Sequence, residues 1–308
     1  MAFRAPKEMY QHACANGYAL GAFNVFSLES MLAVMEAARE ERSPAIIQIS
    51  MGARKYVRHL APFVSTIRAF GECYDVPFFI QHDHCSTLQA CKEAIDAGVQ
   101  AVMFDGSHLP YEENISRTKE VCELAHASGV WVEAELGRLP GFEDMVFAES
   151  AVYTDPELVC DFIGRTGCDA LAIAAGTSHG GVQSQGDLPL DLQLIKRIAA
   201  ITPGFPLVLH GAASLPTELI DDCNATGMDV EHLHNCSEES IRSAVLAGIR
   251  KANMDVDNFL VFTTAARRAM TDRPDVYDPR KYLAPAMEGF KREVAHKMRN
   301  VMLSSGRV

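Results

Sequence analysis

Polar side chains close a series of apolar runs in this sequence: Asn24, Ser50, Asp83, His84, Asp105, Glu135, His179, His210, Asn253 and Asp255. Histidine and carboxylate hold divalent metals and move protons near neutral pH. His84, His179 and His210 come from three separate runs. With an acid nearby, they suit a tetrahedral zinc that keeps one position exchangeable. Glu135 is the fourth ligand, or the one that yields to water or substrate. The plain alternative is three unrelated core histidines bonded to backbone, and their equivalent positions at run ends argue against it. Asp83 adjoins His84, and strand alternation is expected to send the two to opposite sides of the strand end. The same alternation turns His82 away from Gln81 and Asp83, which makes it structural. His232 and His234 lie in a connecting segment and are expected on the solvated surface. Cys85 reads as a small buried hydrophobe. Gly180 and Gly181, after His179, leave room for an anion to reach backbone N–H groups.

These residues need a scaffold that gathers run ends at one place. Strand-like runs cover 18–25, 45–50, 77–85, 101–105, 130–136, 170–175, 206–211 and 249–255, and a helical segment follows each. A further short helix precedes the first run, over 5–16. Ser27 and Ser86 are expected to cap the helices after the first and third runs, and Thr154-Asp-Pro-Glu157 reads as a capping box. Gly137 to Thr154 reads as a long loop. The tail, from about 257 to 308, is helical with a break near 271–280. Strands alternating with helices imply a parallel sheet. Eight such units favour a closed (β/α)8 barrel over an open doubly wound sheet, with 1–308 as one domain and extra helices at its C-terminus. No G-x-G-x-x-G follows the first run, which argues against a dinucleotide fold. In such a barrel, chemistry belongs at the C-terminal strand ends.

The bulk composition agrees. The 308 residues are 48% hydrophobic and carry a formal net charge of -12, which argues against a nucleic-acid groove or a polybasic membrane patch. The nine cysteines form no C-x-x-C pair and are odd in number, so a reducing, cytoplasmic setting is expected. No apolar signal core opens the chain, and no run reaches the ~18 apolar residues of a membrane span.

Over nearly its whole length the chain resembles the class II, zinc-dependent fructose-bisphosphate and tagatose-bisphosphate aldolases. The matching stretches are Gly21-Ala-Phe-Asn-Val25, Asp83-His84, Val132-Glu-Ala-Glu-Leu-Gly137, Gly176-Thr-Ser-His-Gly180, Leu207-Val-Leu-His-Gly-Ala212, Asn253-Met-Asp255 and Asp278-Pro-Arg-Lys-Tyr282. The resemblance implies a (β/α)8 barrel in homodimers or homotetramers and a small ketose or ketose phosphate substrate. It places the zinc ligands on His84, His179, His210 and Glu135, and an acid near an alternative metal position on Asp105. It makes Asp83 the acid/base for the hydroxyl at the cleaved bond and Glu143 the loop acid that exchanges a proton on the donor carbon. Asn253, Asp255, Gly180, Gly211 and Ser214 fall at the donor end, where a monovalent cation could also bind. Asn24 and Ser50 line the pocket, and Arg280 meets the distal phosphate, across a subunit interface in one arrangement.

The sequence departs from the family at the donor phosphate. Gln183 stands where Lys is usual, Ala213 for Ser, Val256 for Ser or Thr, Phe259 for Arg, and Cys85 for Gly. Each lost charge-assisted hydrogen bond is worth ~1.5–3 kcal/mol. The expectation is therefore an aldolase with an altered donor-phosphate pocket. An ordinary bisphosphate aldolase is the first alternative, and a metal-dependent sugar epimerase or sugar-binding protein on the same barrel is the second.

Overall fold

The computed structural model describes residues 5–143, 146–148, 150–180 and 190–308. Eight parallel strands close into a barrel: β1 (Leu20–Asn24), β2 (Ala45–Ile49), β3 (Phe78–Cys85), β4 (Ala101–Phe104), β5 (Trp131–Leu136), β8 (Ala170–Ile173), β9 (Leu207–Leu209) and β10 (Ile249–Met254). Between β5 and β8 lies a small antiparallel hairpin, β6 (Gly141–Glu143) and β7 (Val146–Ala148). The barrel strands run in the order β1-β2-β3-β4-β5-β8-β9-β10, and β10 returns to pair with β1. Each is buried on both faces apart from the partly exposed Trp131 and Arg250, as strands covered by helices must be.

Helix α1 (Pro6–Asn16) plugs the N-terminal end of the barrel. Its Met9, Tyr10 and Ala13 pack against Leu20, Ala22, Ile46, Phe79 and Ala101. Around the outside run α2 (Leu28–Glu41), α3 (Met51–Val57), α4 (Leu60–Gly71), α5 (Leu88–Ala97), α6 (Tyr111–His126), α7 (Pro156–Thr166), α8 (Leu192–Ile201), α9 (Thr217–Ala225) and α10 (Glu238–Ala247). The tail is α11 (Val256–Asp272) and α12 (Arg280–Asn300), and α12 packs on both α11 and α2.

Local capping sets the helix starts. Ser27 caps α2 through a reciprocal box with Ser30. The cap of α5 is Thr87, not Ser86. The box expected at Thr154 does not form. Asp155 caps α7, while the Thr154 hydroxyl donates to the Leu136 carbonyl and accepts from the Ala174 N–H, tying β5 to β8. The stretch expected as a loop after β5 is partly ordered as the β6–β7 hairpin. Its base is a ladder between Arg138 and Val152, N–H to carbonyl at 2.8 Å both ways. Strands of three residues are too short to show alternation in sequence.

Candidate metal centre and active site

Along each strand alternate residues face the barrel axis. On β3 these are Phe79, Gln81 and Asp83; on β5 Glu133 and Glu135; on β10 Lys251 and Asn253. The inward series therefore changes from apolar at the N-terminal end to polar at the mouth.

The register shifts on β10 between Ile249 and Lys251, and again at the end of β3, where it matters for the site. Pairing with β4 runs His82↔Val102 and then Cys85↔Phe104, so β3 holds one extra residue. His84 takes up that bulge with φ 46°, a left-handed backbone that few non-glycine residues adopt. Asp83 and His84 consequently both reach the mouth, with His84 Nε2 3.7 Å from Asp83 Oδ2. The expectation that they part to opposite sides is corrected by this bulge. His82 does turn outward, where its Nδ1 meets the Cys85 thiol at 3.2 Å. Burial and the nearby Arg54 push its pKa down to about 4, so the ring is neutral.

His84, Glu135, His179 and His210 converge, one ligand atom of each lying within 4.8 Å of the others, and could hold a metal ion. Ring centroids stand 5.1 Å apart for His84–His179, 4.7 Å for His84–His210 and 6.0 Å for His179–His210. The chemistry of the donors fits. His210 Nε2 contacts Glu133 Oε1 at 2.8 Å, whereas its buried Nδ1 has no hydrogen-bond partner and lies 3.7 Å from Glu135 Oε2. Burial lowers the His210 pKa against the pull of Glu133, which keeps the ring neutral as a ligand must be. Asp105 is not in this group. It sits 3.2 Å from His84 Nδ1 and accepts from the Ser107 N–H at 2.9 Å. Burial opposes its ionisation, but the hydrogen bond and charge of His84 hold the carboxyl well below its usual range. Asp105 thus contacts His84 through Nδ1, on the ring edge away from Nε2.

Asp83 is fully buried and held on one side only. Its Oδ2 accepts from Gln48 Nε2 at 2.9 Å and from Asn253 Nδ2 at 3.0 Å, and its Oδ1 has no partner. Gln48 also donates to Asn24 Oδ1 at 3.0 Å, and Asn24 lies 3.5 Å from Asp255 Oδ2. Asp255 opens α11, accepting from the Val256 N–H at 2.6 Å.

Beneath this layer lies an ion cluster that the sequence reading missed. Lys251 Nζ donates to both oxygens of Glu133, at 2.9 and 2.8 Å, and Gln81 Nε2 donates to Glu133 Oε2 at 3.1 Å. Burial would raise the Glu133 pKa, but the Lys251 charge and the His210 hydrogen bond hold it at about 2. A signal was available. Gln81, Glu133 and Lys251 each precede a mouth residue by two on the same strand, the spacing of one strand face.

The remaining expected residues are placed unevenly. Gly211 has φ 57°, and a Cβ there would strike the Ser178 carbonyl. Asn235 Nδ2 donates to the Gly211 carbonyl at 2.9 Å, holding the loop after β9. Gly180 is also left-handed, with φ 69°. The Ser50 hydroxyl caps α3 by accepting from the Ala53 N–H. The Ser214 hydroxyl is engaged by Lys297 and Glu238, and its N–H donates to Asp257 Oδ2 at 3.3 Å. Ala213 is buried, whereas Phe259 is 37% exposed and packs edge-on against Phe26. Glu143 lies on β6, whose base reaches the centre: the His179 N–H donates to the Pro140 carbonyl at 2.9 Å, and Gly141 bridges to His179. Arg280 is on the surface, its side chain bonded to Asp278 and not to the mouth. Gly181 and Gln183 lie outside the described residues. His232 and His234 are exposed, and Cys85 is buried, as expected.

Residues 4–307 match the family described as fructose-bisphosphate aldolase class-II. The chain belongs to the class II fructose-bisphosphate aldolase family. Among relatives of this family, a fructose-bisphosphate aldolase of Treponema pallidum is 40% identical, over 98% of this chain and 96% of its own length. One of Thermus caldophilus is 41% identical, over 94% of this chain and 95% of its own. In three dimensions the chain is similar to the YdjI aldolase of Escherichia coli K12, with a TM-score of 0.78, 28% identity and 99% of each chain covered. A putative fructose-1,6-bisphosphate aldolase of Coccidioides immitis superimposes with a TM-score of 0.80 at 26% identity, over 98% of this chain and 97% of that one. As in class II aldolases generally, the enzyme is a carbon–carbon lyase on a closed barrel.

Proposed function

We propose that the protein is a zinc-dependent aldolase that cleaves a ketose or ketose phosphate reversibly into a dihydroxyacetone-type donor and an aldehyde. The observation that carries this reading is Asp83: one oxygen is fixed by the Gln48 and Asn253 amides, and the other is bare and buried beside the histidine cluster. Such a carboxylate can take a proton from a substrate hydroxyl without swinging. Loss of that proton turns the hydroxyl carbon into the aldehyde, and the electron pair of the broken carbon–carbon bond stays on the donor fragment. Glu143 returns a proton to that carbon. His84, His179, His210 and Glu135 would hold a zinc ion, which when bound would supply Lewis-acid polarisation of the donor carbonyl. A sugar-binding protein would have no use for a bare, fixed base.

The donor end supports a pocket that favours a less charged ketose. Ala213 and Val256 offer no side-chain hydrogen bond, and the Ser214 hydroxyl is already engaged by Lys297. Burying a phosphate dianion with its partners missing is expensive. A second reading, ordinary fructose-bisphosphate cleavage, is favoured by the Treponema and Thermus relatives. Zinc-dependent release of aldehyde from fructose 1,6-bisphosphate, tagatose 1,6-bisphosphate and unphosphorylated ketoses separates the two. A kcat/KM of ~10⁴ M⁻¹s⁻¹ or above on fructose 1,6-bisphosphate selects the second reading. His210→Ala should lose both metal and cleavage, and full retention of both would remove the metal assignment.

A further inference from the structure

A cavity of about 510 Å³ opens at the end of the barrel opposite the metal centre, between α1, the end of α2, the turn before β3 and the C-terminal tail. Its floor is apolar, with Met9, Tyr18, Pro44 and Val76 buried. Its walls carry Arg39, Arg42 and Arg307.

Several guanidinium groups elsewhere in the chain are held in ion pairs, unlike these three. Arg54 pairs with Glu93, Arg165 with Glu112 and Asp161, Arg280 with Asp278 and Arg299 with Glu41. Among the described residues, Arg39, Arg42 and Arg307 have no carboxylate within ion-pair distance. Arg39 lies over the Tyr74 ring at 5.1 Å and Arg307 over Tyr18 at 5.6 Å. Stacking of this kind fixes a guanidinium plane and leaves its terminal N–H groups available to a ligand, while Arg307 Nε donates to the Leu303 carbonyl at 3.2 Å. Arg42 ends α2 with a left-handed backbone, and its carbonyl accepts from the N–H groups of Arg307 and Val308 at 3.0 and 3.2 Å. The tail is thereby strapped to the helix end, which brings Arg307 to the same cavity as Arg39 and Arg42.

The cavity is not purely basic. Glu8 and Asp75 also line it. Acids that leave the arginines unpaired are free to accept from a ligand's own hydroxyl or amino groups. We propose that this cavity binds a small organic phosphate carrying such donors, at a site separate from the catalytic mouth. The phosphate sits among the three guanidinium edges, which suit it bidentately. The body of the ligand lies on the Met9–Tyr18–Val76 floor.

The test is equilibrium dialysis of the metal-loaded protein against radiolabelled AMP at fixed ionic strength, with pyrophosphate as competitor. Saturable binding with a Kd below ~1 mM is expected. Arg39→Ala and Arg42→Ala should each weaken it about tenfold or more, with aldol cleavage unchanged. Arg42→Ala spares the tail, because the strap uses the backbone carbonyl. Asp83→Ala should bind AMP as the parent does. No saturable binding up to ~10 mM, or equal affinity in an Arg39→Ala/Arg42→Ala double variant, overturns the proposal. So does loss of binding on Asp83→Ala alone, which would put the ligand in the mouth.

Discussion

Asp83 owes its geometry to two amides, and those amides can only donate from the atoms that face it. Gln48 and Asn253 hold Oδ2, so the unpartnered Oδ1 is presented in one orientation. Asp83→Ala should keep its metal, measured by elemental analysis, and lose cleavage by ~10²-fold or more. A variant with near-normal turnover would end the acid/base role. Lys251 is the sterner case, being wholly buried and bonded to both oxygens of Glu133. Lys251→Met leaves a buried carboxylate without its cation, a change that costs ~3–5 kcal/mol in comparable pairs. Urea denaturation should show that loss, and adding Glu133→Gln should recover much of it. If the double variant is no better than the single, the pair is not the source of the cost.

At the scale of elements, the barrel strands and the helices between them follow from apolar runs and their punctuation. The polar residues closing those runs marked the mouth, because in a parallel barrel all C-terminal strand ends lie together. What escaped the sequence reading was local geometry. The bulge at His84 inserts one residue and has no compositional mark. The β6–β7 hairpin is too short for alternation to show. The buried cluster of Gln81, Glu133 and Lys251 sat in plain view at two-residue spacing, but only the residues closing each run were weighed as site residues. Gly141 shows how tightly the hairpin docks: its φ is 106°, and a Cβ would strike the His179 carbonyl. Gly141→Ala should lift the hairpin off the metal centre and lower kcat by about tenfold or more, in keeping with the sensitivity of catalysis to small misplacements. Metal content measured alongside tells displacement of Glu143 from loss of His179. Unchanged kcat and metal would mean that the hairpin tolerates the move.

For the molecule as a whole, pH should act on stability through the pairing of α10 with α12. Hydrogen bonding from His296, then from Lys297, holds the Glu238 carboxyl down at about 2 against burial. Glu238 in turn raises the His296 pKa. The Glu238 contribution is present above its unfolded pKa of ~4.3 and fades as pH falls toward about 2. The His296 contribution is full below ~6.5 and is lost as pH rises through its raised folded value. Thermal midpoints should therefore peak between those limits, and Glu238→Gln should flatten both limbs. An unaltered profile in that variant would show that other groups govern the dependence. Among the described residues no helix is long and apolar enough to cross a membrane. The contact between Gly141 and His179 has a reach beyond the hairpin itself. One strand edge serves both the strand that carries Glu143 and a proposed zinc ligand, so occupancy of the mouth and retention of a bound ion are expected to be linked. Linkage is reciprocal: whatever factor the metal adds to the affinity for a ketose, the ketose adds to the affinity for the metal. A chelator titration with and without a slowly turned-over ketose should give two apparent zinc affinities, and Gly141→Ala should bring them together.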